Sequence, residues 1–416
     1  MKPTLIIFLS FALMHSANAQ LSIDAQVRNR FEARDGYQKL APSDAVPAAF
    51  MFQRTRLAFA YNSDNLKLYI TPQDARVWGD EKLASSTGVY GDDASLTLFE
   101  GYAEIKLTNK NNTWLSVGRQ QLIYDSQRLL SARNWNINGI AYDAAILKMN
   151  IEKWDLHLAG SWNSASASSS NIHYPSNRIK SLNFVWLNRN ISSDFNVSFM
   201  HLASGVTPAD TTNQINFRQT TGVYTKYKKN NFQAWGNAYF QYGKNKTGQN
   251  ISAVLIDADA GYSIGVFTPG LGFSYLSGNS KIGNNTDKLF DVHYGTRHGY
   301  FGFIDYFCNI PADTKQGGLM DYYFYLRFKF KNGFSINNTG HYFALAQTNE
   351  LTPLNKALGY ESDLVLNYRF NKWGNLELGY MFMLPTESLK TMHGITDSNF
   401  SQFLYLQLTI ITSLIK

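Results

Sequence analysis

The feature that most constrains this chain is a period-two alternation of polar and apolar side chains, repeated segment after segment. From Asp321 to Lys331 one face reads Asp321, Tyr323, Tyr325, Arg327, Lys329 and Lys331, and the other Tyr322, Phe324, Leu326, Phe328 and Phe330. Successive side chains of a strand point to opposite faces, so this segment has one wet side and one greasy side. Trp154 to Asn163 and Phe403 to Ile410 alternate in the same way. The pattern predicts strands over 20–34, 49–61, 65–76, 96–108, 113–123, 139–150, 153–164, 178–190 and 193–204. In the second half it predicts 215–228, 231–244, 251–262, 265–277, 318–331, 333–347, 358–370, 373–385 and 398–411.

The connections come in two sizes. "NSDN", "TNKNN", "IEK", "ISS", "KKNN", "SIG", "KNG" and "NKWG" are short and rich in Asn, Gly, Lys and Ser, as tight hairpins require. Between them fall long segments over 35–48, 77–95, 124–138, 164–177 and 278–317. Short turns on one rim and long loops on the other follow from an even strand number with both termini on the short side. The expected fold is all-β: a transmembrane antiparallel β-barrel of 18 strands with short periplasmic turns and long extracellular loops. Closure is required because an open sheet in lipid would leave unpaired backbone groups at its edges. A soluble sandwich would permit the alternation, but it explains neither the two sizes of connection nor the fully apolar faces.

Residues 1–19 carry Lys2, an apolar stretch from Leu5 to Met14, and Ala17 and Ala19 before Gln20, the pattern of a signal peptide. The apolar stretch is too short for a membrane helix, which needs about 20 residues. The expected division is therefore a signal peptide over 1–19 and one barrel domain over 20–416, placed in the outer membrane of a Gram-negative bacterium. Cys308 is the one cysteine, so no intramolecular disulfide is available. The net charge of +7 is mild for 416 residues and gives no nucleic-acid footprint.

Taking the polar phase of each strand as the inside places Arg28, Arg30, Arg54, Arg56, Lys67, Lys106, Arg218, Lys226, Arg327, Lys329 and Arg369 in the lumen. The same phase collects Asp24, Glu32, Glu104, Asp143, Asp155, Asp257, Asp259, Asp321, Asp363 and Glu377. A Lys or Arg facing the lipid midplane costs about 2–4 kcal/mol, which argues for this assignment. Guanidinium groups meet carboxylates in paired hydrogen bonds, so such a lumen would favour anions. Two roles stay open: the arginines act on a passing solute, or they pair with lumen carboxylates and hold the barrel together.

Arg119, Arg128 and Arg133 lie at the end of one strand and in the loop after it, although Arg119 shares the phase of Leu115 and Val117. A bulge or an early strand end would account for that. The loop either folds into the pore or stays on the surface. The longest loop carries His293, Arg297, His298 and Asp305 among many aromatics and is read as a packed, gating loop. Its two histidines do not specify a metal site. No GxSxG, HExxH or phosphate-binding glycine loop is present, so neither an enzyme nor a cofactor is expected.

In "GRQQLIYDSQRLLSARNWN", "LTLFEGYAEIKL", "QDARVWGD" and "DVHYGTRHGYFGFIDYF" the chain resembles the alginate export family of bacterial outer-membrane β-barrels. That resemblance implies an eighteen-stranded pore whose arginine-rich constriction passes an acidic polysaccharide. Carried onto this sequence, it implies conduction residues Arg54, Arg56, Arg76, Arg119, Arg128 and Arg133. The lumen mixes acids and bases almost evenly, which leaves open a channel for smaller anionic solutes. The alternative is a non-conducting scaffold or adhesin that presents its long loops. Expected partners are outer-membrane lipids, an anionic solute or polysaccharide, and the barrel-assembly machinery during biogenesis.

Overall fold

The computed structural model describes residues 20–80, 96–170 and 172–415. The signal-peptide segment, residues 1–19, lies outside them, as does most of the connection over 81–95. Eighteen long strands form one antiparallel sheet in which each pairs with its sequence neighbours. They are β1 (Gln20–Asp35), β2 (Ala48–Asn62), β3 (Leu66–Val77), β4 (Leu96–Thr108), β5 (Thr113–Gln120), β6 (Tyr142–Ile151), β7 (Trp154–Trp162), β8 (Ser181–Asn190) and β9 (Phe195–Val206). The second half gives β10 (Asn216–Lys229), β11 (Phe232–Lys244), β12 (Asn250–Tyr262), β13 (Phe267–Leu276), β14 (Leu319–Lys329), β15 (Phe334–Leu345), β16 (Ala357–Tyr368), β17 (Gly374–Pro385) and β18 (Ser401–Ile415). β1 pairs with β18 from Ile23↔Ile415 to Asp35↔Gln402, so the sheet closes on itself and has no edge.

The alternation read from Asp321 to Lys331 holds in the structure. Tyr322 and Phe324 face outward, 47% and 48% exposed, while Asp321 on the opposite phase is fully buried. Ile70, Leu271, Tyr342 and Leu406 are likewise exposed on the outer faces of their strands. An apolar exterior this large is incompatible with water and suits acyl chains. Among the described residues no helix is long and apolar enough to cross a membrane. The short turns use left-handed residues where hairpin geometry demands them, such as Asn230 (φ 52°) and Gly333 (φ 82°).

The long-loop half of the bore is not a wet channel. Leu122, Leu130, Phe290, Phe301, Ile304, Tyr306 and Phe307 fold in from the loops and pack on Leu255, Leu276, Phe343, Met381 and Phe403 of the wall. Toward the short turns, Arg327 and Lys329 near the end of β14 are exposed. Two short helices, α1 (Ile310–Asp313) and α2 (Glu387–His393), sit in the long loops where the sequence pattern gave only loop. Thr386 caps α2 by accepting from the Leu389 N–H, and Gly394 closes it at φ 69°.

Candidate functional site

Two loops meet inside the bore. The segment between β5 and β6 crosses the full width of the barrel, as its wall contacts show. Tyr124 Oη lies 2.9 Å from His157 Nδ1 on β7, and Asp125 accepts from Trp186 on β8 at 2.9 Å and Ser198 on β9 at 2.6 Å. Arg128 then makes a bidentate pair with Asp257 on β12 at 2.7 and 2.8 Å, and donates to Ser274 on β13 at 3.1 Å. Both members of that pair are buried, and the Arg128 guanidinium lies over the rings of Tyr300 and Phe301.

Further along, the same loop runs against β1 and β2, where four arginines hold five consecutive carbonyl oxygens. Arg28 donates to Asn134 O at 2.7 Å and Asn136 O at 3.3 Å, and Arg30 donates to Trp135 O at 2.9 Å. Arg54 donates to Ile137 O at 3.4 Å and to the Asn134 side chain at 2.9 Å, and Arg56 donates to Asn138 O at 3.1 Å. Carbonyls cancel no charge. Among the described residues, only the Arg30 guanidinium of the four is in a salt bridge, with Glu32 at 2.6 Å, so the clamp keeps most of its positive field.

The loop between β13 and β14 supplies the other half of the plug. Arg133 of the first loop donates to Gly295 O at 3.1 Å and to His293 O. Arg297 donates to His293 O at 3.2 Å and to Cys308 O. His298 lies between two rings, 3.9 Å from Trp135 and 4.4 Å from Phe303, and the Arg30 guanidinium covers the far face of Trp135 at 3.7 Å. This four-member stack divides the remaining space. On one side is a cavity of about 540 Å³ whose charged lining is Arg30, Arg34, Arg133, Arg297, His298 and Asp305. On the other is a cavity of about 430 Å³ bounded by Arg327, Asp363 and Glu377.

The His298 imidazole pairs with Asp305 at 2.8 Å, and Asp305 also accepts from the Tyr37 hydroxyl. Burial works against the Asp305 carboxylate, yet His298 beside it and these hydrogen bonds hold its pKa below the ordinary range. Burial and Asp305 together raise the Tyr37 hydroxyl and the Cys308 thiol, so Cys308 is inert at neutral pH. Burial pushes His293 down to about 4, against the pull of Asp291 and aided by Arg218, Arg297 and Arg133.

The second loop is fastened to the wall where the Phe303 N–H donates to Asp363 at 3.1 Å and the Ile304 N–H to Glu361 at 2.9 Å. Gly302 makes this approach possible. Its φ is +76°, and a Cβ there would lie 2.3 Å from a Glu361 carboxylate oxygen. Gly302→Ala is expected to undock the segment at a cost of about 1–3 kcal/mol. Limited proteolysis of the folded barrel should show new cleavage in the loop, and an unchanged digestion pattern would contradict this.

Several predicted lumen residues stand elsewhere. Arg119 shares the outward phase with exposed Val117, whereas Ser116 and Gln120 on the opposite phase are buried; it pairs at 3.2 Å with Asp143, which also faces outward. Arg76 and Asp74 pair at 2.8 Å on the outward phase of β3, because Ala75 shares the inward face of Arg54. Both pairs sit near the long-loop rim, beyond the band where an outward charge is penalised. Arg369 lies one residue past β16, in the turn, and donates to Lys372 O at 3.3 Å. Arg218 is in the lumen, donating to Gln241 at 3.1 Å. Asp259 accepts from Tyr323 and Tyr325, both at 3.1 Å, not from a cation. Trp135 escaped the sequence reading because nothing in its neighbourhood marks a loop tryptophan as a partition. Among the described residues no cluster of His, Cys, Asp or Glu could hold a metal ion.

A closed eighteen-stranded antiparallel barrel with an apolar exterior and inward-folded loops is the architecture of outer-membrane channels. Among solved structures it is similar to OccAB1 of Acinetobacter baumannii, with a TM-score of 0.65 and 13% identity over 96% of this chain and 97% of that one. It is also similar to OccK8 (OprE) of Pseudomonas aeruginosa, at 0.62 and 10% over 95% and 98%. OpdK of P. aeruginosa, solved with vanillate, gives 0.61 and 11% over 94% and 98%. At these identities the likeness is one of fold. The sequence profile of alginate export proteins matches residues 19–317, and the chain belongs to the alginate export family. No curated protein matches the sequence. The family is one of export barrels, and the fold is that of outer-membrane channels.

Proposed function

We propose that this protein is a passive channel of a Gram-negative outer membrane that favours anionic solutes, with an acidic polysaccharide such as alginate as an export cargo. In this reading residues 1–19 are removed as a signal peptide and the barrel-assembly machinery inserts the remainder. The observation that carries it is the arginine clamp: four guanidiniums inside the bore are engaged almost entirely by neutral carbonyls. A carboxylate is a stronger acceptor than a carbonyl, so an acidic solute competes with the 134–138 segment for the same donors. The cavity beside the clamp adds Arg133 and Arg297, together with Arg34 paired to Glu32 at 2.6 Å, against one lining carboxylate, Asp305. Vanillate in the P. aeruginosa barrel is itself a carboxylate, which supports small acids as further solutes.

Planar-bilayer recordings test this. The wild type is expected to show an anion-selective reversal potential under a salt gradient. Replacing Arg54 and Arg56 together by Ala should move that potential toward zero. It should also raise conductance, since each hydrogen bond from a charged donor that holds the loop contributes about 1.5–3 kcal/mol. Unchanged selectivity would remove these arginines from the mechanism.

A further inference from the structure

The cavity on the short-turn side of the Trp135–His298 stack differs in kind from the basic one beside the clamp. Its ionisable boundary has one guanidinium, Arg327, two carboxylates, Asp363 and Glu377, and the His298 imidazole, which is already paired with Asp305. Arg327 lies over the Tyr325 ring at 3.8 Å and, among the described residues, makes no hydrogen bond or ion pair. Glu377 is held rigid, accepting from Tyr405 Oη at 2.9 Å and from Asn367 at 3.1 Å. Asp363 is 3% exposed; its Oδ2 accepts from the Phe303 N–H at 3.1 Å and lies 3.6 Å from His341 Nε2, while its Oδ1, like the adjoining Glu361 Oε2, receives no donor. The rest of the wall is Trp135, His298, Phe303, Tyr405 and Val365, with the polar side chains of Asn337 and Thr339.

We infer that this inner cavity binds a small ring-bearing zwitterion, with its carboxylate on Arg327, its ammonium toward Asp363 and Glu377, and its ring against Phe303, Tyr405 and the edge of Trp135. Three features point there together. A free guanidinium resting on an aromatic face is preset to receive a carboxylate. Asp363 and Glu377 outnumber Arg327, since the His298 and His341 imidazoles at this wall are each paired with a further carboxylate, Asp305 and Asp321, and aromatic faces attract cations rather than anions. The volume, about 430 Å³, falls within the ordinary range for small-molecule sites and admits a single ring with its substituents. The inference goes beyond an anion-preferring channel and does not depend on one, because binding requires no conduction.

Isothermal titration of the full processed barrel in detergent at neutral pH, with three probes, tests it. Phenylalanine carries both charges, phenylacetate only the carboxylate and phenethylamine only the ammonium. Phenylalanine is expected to bind about tenfold or more tighter than either partial probe. Arg327→Gln should bring phenylalanine down to the level of phenethylamine, and Glu377→Gln should bring it toward phenylacetate. Heat-modifiable gel migration verifies that each variant is folded. Phenylacetate binding as tightly as phenylalanine would make the cavity a plain anion site and overturn the inference, as would no binding of phenylalanine at millimolar concentration. Loss of anion selectivity in bilayers, with phenylalanine binding intact, would count against the channel reading alone.

Discussion

Arg128→Met is expected to be the most damaging single substitution inside the bore, lowering stability by about 3–5 kcal/mol. Arg128 and Asp257 are fully buried, and among the described residues no other cation is paired with Asp257. Removing the guanidinium leaves a carboxylate in a low-dielectric core with only the Asn237 amide, at 3.0 Å, to support it. It also strips the cation from the faces of Tyr300 and Phe301, the point where the two loops are pressed together. Thermal unfolding of the detergent-solubilised barrel should shift downward, and trypsin should gain access to Arg133. Combining Arg128→Met with Asp257→Leu should recover part of the loss, because no unpaired charge then remains. A single variant as stable as wild type would show that the pair carries none of the plug's anchoring.

Acidification from pH 7 to pH 4 is expected to release the plug. His293 has a folded pKa of about 4 against an ordinary 6.5, so the packed loop favours its neutral form. Its contribution is intact above pH 6.5 and is lost as the pH falls toward 4, an effect of about 3 kcal/mol for a shift of about two and a half pH units at about 1.4 kcal/mol each. His393 acts in the same direction: burial lowers it to about 4, and in its neutral form it accepts from the Leu40 N–H at 3.1 Å. Asp313 opposes them. Burial raises it to about 6, so it gains stability as the pH falls from 6 toward 3.8. Both of these are partly solvated and count for less than His293. Channel conductance should therefore rise in acid, and His293→Gln should flatten that rise. A pH-independent conductance in the wild type would refute the assignment.

Much of the wall could be read from residue order alone, because in a lipid-facing barrel the period-two pattern is enforced by solvent on both sides. Asp321, Tyr323, Tyr325, Arg327 and Lys329 all face the lumen as their spacing predicts. The rule that polar means inside fails only where the outside is polar too. Arg76 with Asp74 and Arg119 with Asp143 find partners on the outward face near the rim, where nothing forces them inward. The plug is the larger omission. Its contacts join positions far apart in the chain: Arg128 meets Asp257 across 129 residues, and Tyr37 meets Asp305 across 268. No local periodicity encodes such pairings. The loop aromatics that build the inner core look the same in sequence as aromatics that line a rim, and the clamp arginines were legible while their carbonyl partners were not.

The mutual fastening of the two loops bears on how current would flow. Tyr300 donates to Ser126 O at 2.5 Å, and Arg133 grips the backbone at Gly295, so neither segment leaves the bore without breaking bonds to the other. Withdrawal is then a joint event, and recordings from one molecule should jump between two discrete levels instead of drifting through intermediate ones.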